Sequence, residues 1–529
     1  MLADGRSFED QAELSTDICI IGAGAAGITV ARELANTNID VVLLESGGTS
    51  VSVEGLQLAS GESIGRLYHP LEASRLRMFG GSTGHWAGWC RPLDEIDFRK
   101  RDWIPHSGWP FERSELMPYY RRAQVLCDLG PFAYEPEAWS SLANTPWDFH
   151  GEDEDADAEP RIVNRLIQFS PPTRFGEAYR QELEDAANVR VILNSSVQTL
   201  DAESHGRAIR TVSVRTLDGP GFRVAAKRFV LAAGGLENPR LLLLSDDVHK
   251  SGLGNERDLV GRYFMNHTWF EAGGLVTTSP ELNAEFYRGR TEALTAAGAD
   301  TPVRGFMTFS DKAQAEAGIA NISLMPTPSS AKNVVVSTME NDAWYSRVGR
   351  AAGEIDEFFR SGFNSVRSKM SDGFDHNIYE FINVTEQVPN PDSRVTLADS
   401  TDAFGQRRVA LDWQLNELDL VSVARGHRLF GAEAARLGIG RVIEAIDPED
   451  GWPAGQIGDW HHMGTTRMGD TNSDSIVDAN CRMHDIDNLF VAGSSVFPTS
   501  GYSNPTLTIV ALSIRLADML KQPPGSSEA

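Results

Sequence analysis

The chain has few cysteines and few basic residues for its acidic content, and each shortage argues against a class of protein. Its four cysteines are far apart in the sequence and form no Cys-x-x-Cys pair, which argues against a disulfide framework or a zinc ribbon. Lysine and arginine together number 48 against 74 aspartates and glutamates, which gives a formal net charge of −26. Because nucleic-acid binding needs clustered positive charge at the phosphates, we expect no nucleic-acid partner.

Long hydrophobic runs and targeting patterns are also absent. No window reaches the roughly 18 uninterrupted apolar residues of a membrane span. The N-terminal stretch MLADGRSFEDQAEL is acidic and lacks the basic-then-apolar pattern of a signal peptide. We therefore expect a cytoplasmic protein without a membrane span. A chain of 529 residues exceeds one simple core, which predicts several domains or one large composite fold.

The stretch STDICIIGAGAAGITVARELANTNIDVVLLESGG predicts a strand, a glycine turn, a helix and a second strand. In its Gly-x-Gly-x-x-Gly motif, the first glycine allows the turn, the second lets backbone approach a pyrophosphate, and the third lets helix and strand pack closely. Free N–H groups at the helix start favour phosphate charge. Glu45 ends the second strand, where it can accept hydrogen bonds from a ribose; a 2′-phosphate would require arginine. The predicted dinucleotide-binding residues are Gly22, Gly24, Ala25, Ala26, Gly27 and Glu45. The motif alone does not distinguish NAD from FAD.

Two later segments predict further close approaches of backbone to a ligand. SRLRMFGGSTGHWAGWCRPLDEIDF, residues 74–98, has two adjacent glycines before small polar residues, a pattern that can lay backbone along a planar ligand. KRFVLAAGGLENPRLLLLS, residues 227–245, predicts a strand that ends in Ala-Ala-Gly-Gly before a helix. We expect this strand and RVILNSSVQTL, residues 190–200, to belong to the same sheet as the N-terminal strands.

Together with HHMGTTRMG and NLFVAGSSVFPTSGYSNPTLTIVALSIRLAD, these segments resemble the glucose-methanol-choline (GMC) family of flavoproteins, nearest to its pyranose-oxidase and bacterial glycoside-oxidase branch. The matching segments extend from residue 17 to 520, with patchy likeness over 270–380. The resemblance implies an α/β fold: a discontinuous Rossmann-like FAD-binding domain with an inserted α+β substrate-binding domain on a mainly antiparallel sheet. The implied boundaries are 14–100, 171–246 and 441–522 for the FAD-binding parts, 101–170 for a connecting, partly substrate-side segment, and 247–440 for the substrate domain, with an insertion near 329–376.

The same resemblance implies FAD in an extended form, with its adenine on the N-terminal motif and its isoalloxazine near residues 80–90 and the C-terminal motifs. Val197 is expected to contact the adenine through its backbone. His85 matches the histidine that fungal pyranose oxidases join covalently to flavin; many relatives lack that bond, and we favour non-covalent FAD. The remaining residues expected at FAD are Gly80, Gly81, Ser82, Trp86, Ala233, Gly234, Gly493, Ser494, Asn504, Pro505 and Thr506.

Two adjacent histidines in GDWHHMGTTRMG, residues 458–469, allow three interpretations. Neighbouring side chains of an extended segment point to opposite sides, so His461 and His462 cannot easily share an ion, and we predict no metal site. Packing in the core is the second interpretation. In the third, the resemblance identifies His461 as the general base, a role that suits histidine because its ordinary pKa is about 6.5.

The partner of His461 is expected in SGYSNPTLTIVAL. The local sequence favours Asn504 as a helix N-cap with Pro505 at the first helical position. The resemblance places Asn504 beside His461 at the substrate hydroxyl, and the two interpretations are compatible in part. In EQVPNPDSRVTL, Glu386 and Gln387 are candidates for binding sugar hydroxyls, with ordinary solvent-facing strand polarity as the alternative.

The sequence therefore predicts FAD-dependent oxidation of a primary or secondary alcohol of a sugar, glycoside or polyol. His461 and Asn504 are expected to take part in catalysis and also to bind the substrate. An aminoglycoside or other natural-product alcohol is the alternative substrate, which the acidic charge favours. A lyase or decarboxylase of the same fold and a non-catalytic flavin-binding protein are the alternatives of other classes. No motif separates O₂ from a quinone-like electron acceptor, and the oligomeric state is left open.

Overall fold

The computed structural model describes residues 1–139, 147–150, 160–278, 285–287, 294–296, 299–328, 378–443, 446–452 and 456–522. The acidic run at 151–159 and the predicted insertion near 329–376 lie outside the described residues. No helix within the described ranges has the length and apolar character that crossing a membrane requires.

The strands of these residues are, in chain order, β1 Leu2–Asp4, β2 Glu13–Ile21, β3 Val41–Leu44, β4 Gly61–Ser63, β5 Trp89–Cys90, β6 Ile162–Phe169, β7 Val189–Leu193, β8 Ser196–Ala202, β9 Ile209–Arg215, β10 Gly221–Leu231, β11 Thr268–Thr277, β12 Leu294–Ala296, β13 Ala299–Thr301, β14 Val303–Phe309, β15 Ile322–Pro328, β16 Ile378–Thr385, β17 Arg394–Thr401, β18 Arg407–Asp412, β19 Gly440–Ile443, β20 Ile457–Gly458 and β21 Leu489–Val491. The helices are α1 Ala25–Leu34, α2 Val53–Ala59, α3 Glu95–Phe98, α4 Arg113–Leu126, α5 Phe175–Ala178, α6 Arg180–Asp185, α7 Glu237–Leu244, α8 Asp311–Ala317, α9 Glu417–Arg436 and α10 Thr506–Leu520.

The first sheet has a parallel centre in the order β1-β7-β3-β2-β10, with β21 also paired to β10 and the antiparallel strands β9 and β8 at one side. Ile18, Cys19 and Ile20 of β2 have no exposed surface, as expected for a parallel strand that is covered on both faces. Helix α10 packs against both α1 and α4. The predicted strand–turn–helix–strand unit is therefore confirmed, and the strands predicted at 190–200 and 227–245 do join its sheet.

The second sheet is antiparallel in the order β19-β11-β16-β15-β14-β6-β5, with β20 also paired to β11. Its core includes Leu275 of β11, Phe309 of β14 and Phe381 of β16, which pack with Phe430 of α9. The predicted combination of a Rossmann-like α/β part with a mainly antiparallel substrate-side sheet is confirmed.

The pairing of strands differs from expectation in two places. Strands β17 and β18 form a separate three-stranded sheet, in which β18 pairs in parallel with β4 of the N-terminal region. Strands β19 and β20 pair with β11, so residues 440–443 and 457–458 belong to the antiparallel sheet, although the 441–522 segment is expected in the FAD-binding domain. Pairing between segments remote in sequence decides each case, and local patterns do not encode it.

Candidate active site

A cleft of about 680 Å³ lies where the two large sheets meet. Residues at the carboxyl ends of β2 and β3 line one part of it, and Trp89 of β5 and Trp269 of β11 line another. Ligands of open α/β sheets bind at the carboxyl ends of parallel strands, so the cleft has the position expected for a nucleotide cofactor.

The N-terminal glycines have three different surroundings. Gly22 has φ +102°, and a Cβ there would lie 2.7 Å from the carbonyl oxygen of Ala232, so this turn requires glycine. A Cβ on Gly27 would lie 1.9 Å from the carbonyl oxygen of Gly22, which explains the close contact between helix and turn. Gly24, the N-cap of α1, has nothing within 4 Å of an added Cβ and lines the cleft. Gly24 therefore leaves space for a ligand, whereas Gly22 and Gly27 allow the turn and its packing.

Glu45 follows β3 and lines the cleft with a carboxylate that is 5% exposed. Its Oε2 accepts the N–H of Ala23 and its Oε1 accepts the N–H of Gly47, both at 2.9 Å. Burial raises the pKa of Glu45 to about 7, while these backbone hydrogen bonds act in the opposite direction. Each carboxylate oxygen keeps a second acceptor site, so the group can still receive a hydroxyl hydrogen bond.

The loop around residues 80–89 follows one wall of the cleft. Gly81, Ser82, His85 and Trp86 line it, whereas Gly80 lies behind it, since a Cβ on Gly80 would contact the backbone N of Gly176 at 2.7 Å. The ring of His85 is 5.2 Å from that of Trp460. Burial, and then the charge of Arg174, lower the pKa of His85.

The other predicted FAD residues converge on the same cleft. Gly234 and Gly493 have φ of +91° and +111°, and nothing lies within 4 Å of a Cβ added to either. Asn238 joins their two loops, because it accepts the N–H of Ala233 at 2.8 Å and donates to Ser495 Oγ at 2.9 Å. Further lining residues on the predicted list are Ala25, Ala26, Val197, Ala233, Ser494, Asn504, Pro505 and Thr506.

The structure brings His461 and Asn504 together in the cleft, with Asn504 Nδ2 at 3.1 Å from His461 Nε2. The N-cap of α10 is Pro505, and it has no side-chain capping bond. The expectation that Asn504 caps this helix is therefore wrong, since its side chain is turned towards the histidine. The start of α10 lines the cleft through Thr506, so the positive end of the helix lies at the site.

His462 also lines the cleft, but its ring packs in the interior. It is 9% exposed, and its ring lies 6.1 Å from that of Tyr68 and 5.9 Å from that of Phe264. Burial lowers the pKa of His462 to about 3, so the ring is uncharged at neutral pH. The two neighbours thus have different surroundings. Among the described residues, no group of three or more histidine, cysteine, aspartate or glutamate side chains could hold a metal ion.

Two residues on the other side of His461 were not predicted. Nδ1 of His461 lies 3.0 Å from Nδ1 of His267 and 3.2 Å from Oδ2 of Asp459. His267 is fully buried, and burial, followed by the charge on His461, lowers its pKa to about 3. Asp459 is only two residues before His461, so the contact between them could have been predicted from the sequence. His267 precedes β11 and carries no local motif.

The structure does not bring Glu386 and Gln387 to the cleft, because both side chains bind partners inside the protein. The Glu386 carboxylate binds Arg101, with Nη1 at 2.8 Å from Oε2, and also accepts the N–H of Asn321 at 2.9 Å. Gln387 Oε1 accepts the N–H of Asn266 at 2.9 Å and the indole N–H of Trp413 at 3.0 Å. The exposed surface of Glu386 is 1% and that of Gln387 is zero.

Aromatic rings form part of the cleft wall. Trp89 and Trp269 lie 5.5 Å apart, and Trp460, which is 41% exposed, lies 5.8 Å from His69. All four residues line the cleft. His69, Trp89, Trp269 and Trp460 together form this aromatic wall. No local sequence pattern predicted it, because the four residues are far apart in the sequence.

Comparison with known proteins shows which families and structures the chain is similar to. Residues 389–513 match a family model described as GMC oxidoreductase, and residues 17–250 match one described as FAD dependent oxidoreductase. The chain is 25% identical to the 2-methyl-1,2-propanediol dehydrogenase of Mycolicibacterium austroafricanum, over 96% of this chain and 95% of that protein. It is also 25% identical to the fructose dehydrogenase large subunit of Gluconobacter japonicus, over 96% of this chain and 98% of that protein. The crystal structure of pyridoxine 4-oxidase from Mesorbium loti shares the fold, with a TM-score of 0.55 at 18% identity, covering 95% of this chain and 99% of that one.

Proposed function

We propose that this chain, which belongs to the glucose-methanol-choline oxidoreductase family and is an FAD-dependent oxidoreductase, oxidises a hydroxyl group of a sugar, glycoside or related polyol. The observation that carries the proposal is the pair of His461 and Asn504, 3.1 Å apart in the cleft that the predicted FAD segments line. Two similar proteins that align with nearly the whole chain are named as dehydrogenases of a diol and of fructose, which supports a polyhydroxylated substrate.

The residues of the cleft fit FAD. Gly24, Gly234 and Gly493 each leave open the space that a Cβ would fill, as a ligand lying against backbone requires. Glu45 would receive the ribose hydroxyls, and the starts of α1 and α10 would face anionic parts of the cofactor. When bound, FAD supplies the acceptor for the hydride of the alcohol.

The protein's own task in the reaction is to hold the alcohol and take its hydroxyl proton. We assign proton acceptance to His461 Nε2, and orientation of the hydroxyl to Asn504, whose neutral amide adds no charge. Positioned bases of this kind contribute roughly 10²–10⁴-fold to rate.

The aromatic wall replaces Glu386 and Gln387 as the proposed substrate-binding surface. Flat rings pack well against the apolar face of a pyranose, and Trp460 offers an exposed ring directly next to His461 in the chain. A sugar ring held there would present a carbinol to His461.

We further propose that FAD is bound without a covalent bond, with a bond to His85 as the alternative. Acid precipitation should leave the flavin in solution; flavin that stays on the polypeptide would support the alternative. From the sequence we also propose that the protein is cytoplasmic. The electron acceptor is proposed to be O₂ or a quinone-like compound.

The test is anaerobic mixing of the flavin-loaded protein with sugars, glycosides, polyols, aminoglycosides, methanol and choline, with loss of the oxidised-flavin absorbance as the readout. We expect a sugar, glycoside or polyol to reduce the flavin fastest. Trp460→Ala should raise the apparent KM for that substrate about tenfold, the effect of losing roughly 1.4 kcal/mol of binding, while the flavin content stays unchanged. If methanol or choline proves the better substrate, the sugar assignment fails, although the flavin and histidine chemistry stands.

A further inference from the structure

On the side of His461 that faces away from Asn504, a carboxylate and a second histidine lie next to Nδ1. Asp459 Oδ2 lies 3.2 Å from His461 Nδ1, and His267 Nδ1 lies 3.0 Å from the same atom. The orientation of the Asp459 carboxylate is constrained, because its Oδ1 accepts the N–H of Trp460 at 2.7 Å. The carbonyl oxygen of Asp459 accepts the hydroxyl of Tyr68 at 2.5 Å. Asp459 is thus held at both its side chain and its backbone.

The hydrogen bonds determine where neutral His461 carries its proton. With the Asn504 amide oriented so that Nδ2 faces Nε2, Nε2 must be the acceptor, because an amide nitrogen offers only N–H donors. The ring proton then sits on Nδ1, between Asp459 and His267. His267 Nδ1 has hydrogen-bonding geometry to His461 Nδ1, and the Asp459 carboxylate lies next to the same atom, where its negative charge favours the proton.

The surroundings also determine which group can balance a positive charge on His461. Within the described ranges, Asp459 and His267 are the titratable side chains in contact with the ring of His461, and His462 follows it in the chain. Both of the other histidines are buried. Burial lowers the pKa of His267 and of His462 to about 3, so both stay neutral. Asp459 is therefore the anionic group among these three.

We propose that Asp459 is the positioning residue of the proton-accepting histidine. Its carboxylate, with His267 beside it, keeps the ring proton of His461 on Nδ1 and leaves Nε2 unprotonated. Nε2 can then accept the substrate hydroxyl in place of the Asn504 N–H, and the carboxylate balances the charge that His461 gains with the proton. The proposal rests on the proposed function, since it requires an alcohol that releases a hydroxyl proton to Nε2.

The first experiment compares Asp459→Asn with the wild-type holoenzyme. The variant keeps the shape of the side chain and removes its charge. We expect the limiting rate of anaerobic flavin reduction to fall about ten- to a hundredfold, the effect of removing a negative charge that lies next to the base. The apparent substrate affinity should change less than the rate. The rate requires an unprotonated base, and the variant base is weaker, so the midpoint of the rising limb of the pH–rate profile should shift to lower pH. Asp399→Asn, the same substitution at a fully exposed side chain, is the matched control and should change none of these quantities.

The second experiment reads the tautomer directly and needs no substrate. Protein labelled with ¹⁵N-histidine is studied by long-range ¹H–¹⁵N NMR, with His461→Gln used to assign the signals. We expect wild-type His461 to be the Nδ1–H tautomer, and Asp459→Asn to weaken that preference.

The outcomes separate this inference from the proposed function. A fully flavin-loaded Asp459→Asn protein with the wild-type rate and midpoint would overturn the role of Asp459. If that variant does not fold, the wild-type spectrum decides, because an Nε2–H tautomer overturns the proposal. If no alcohol reduces the wild-type flavin, the proposed function fails, and the spectrum still shows whether Asp459 sets the tautomer.

Discussion

Replacing His461 and His462 separately by glutamine gives a matched pair of variants at adjacent positions with opposite expectations. His461 Nε2 faces Asn504 in the cleft, so His461→Gln removes the proposed base and should lower the rate of flavin reduction at least a hundredfold. That factor corresponds to about 2.7 kcal/mol of transition-state stabilisation. The loss should appear in the limiting rate more than in the substrate concentration at half-saturation.

His462→Gln should instead affect folding stability. The ring packs against Tyr68 and Phe264, and losing aromatic pairs of this kind costs about 0.5–1.5 kcal/mol each. A total near 1–3 kcal/mol is below the roughly 5–15 kcal/mol of a typical domain, so the variant should still fold. Accepting a proton at a ring whose pKa burial lowers to about 3 is unfavourable, which makes His462 a poor base.

The assay is stopped-flow flavin reduction under anaerobic conditions at saturating substrate, accompanied by thermal unfolding of both variants. We expect the rate loss at His462 to stay below tenfold and its melting temperature to fall. Equal rate losses in two folded, flavin-loaded variants would refute the assignment of the base to His461.

Two further predictions concern Gly24, which lines the cleft, and the buried side chain of Gln387. Gly24→Val should lower the FAD-to-protein ratio without lowering the melting temperature of the apoprotein, because the added side chain enters the open cleft. Val53→Ala, at a side chain that is 66% exposed, is the control. Unchanged FAD binding in Gly24→Val would contradict the proposal that FAD lies against Gly24. Gln387→Ala leaves the Asn266 N–H and the Trp413 indole N–H without their acceptor, so it should lower the free energy of unfolding by about 1–3 kcal/mol per unsatisfied group. A denaturant titration measures this loss, and a changed KM at unchanged stability would instead restore Gln387 as a substrate-binding residue.

Features that depend on neighbouring residues were predicted well. The glycine spacing after β2, the acidic residue after β3 and the Ala-Ala-Gly-Gly turn each act within a few residues, so their geometry follows from the local backbone. Resemblance to a family added what local chemistry left open, including the choice of FAD and the pairing of His461 with Asn504. Local capping preference alone favoured the wrong contact for Asn504.

What the sequence by itself determined is therefore the glycine turn and the parallel strands around it, while the resemblance to a family pointed to the histidine that faces the cleft. Only the tertiary structure decided which side chains surround that histidine and which cation pairs with the buried carboxylate of Glu386. His267 reaches His461 across 194 residues, and Arg101 reaches Glu386 across 285. Whether a polar side chain binds substrate or satisfies an interior partner depends on which remote segments pack beside it, and no local pattern records that.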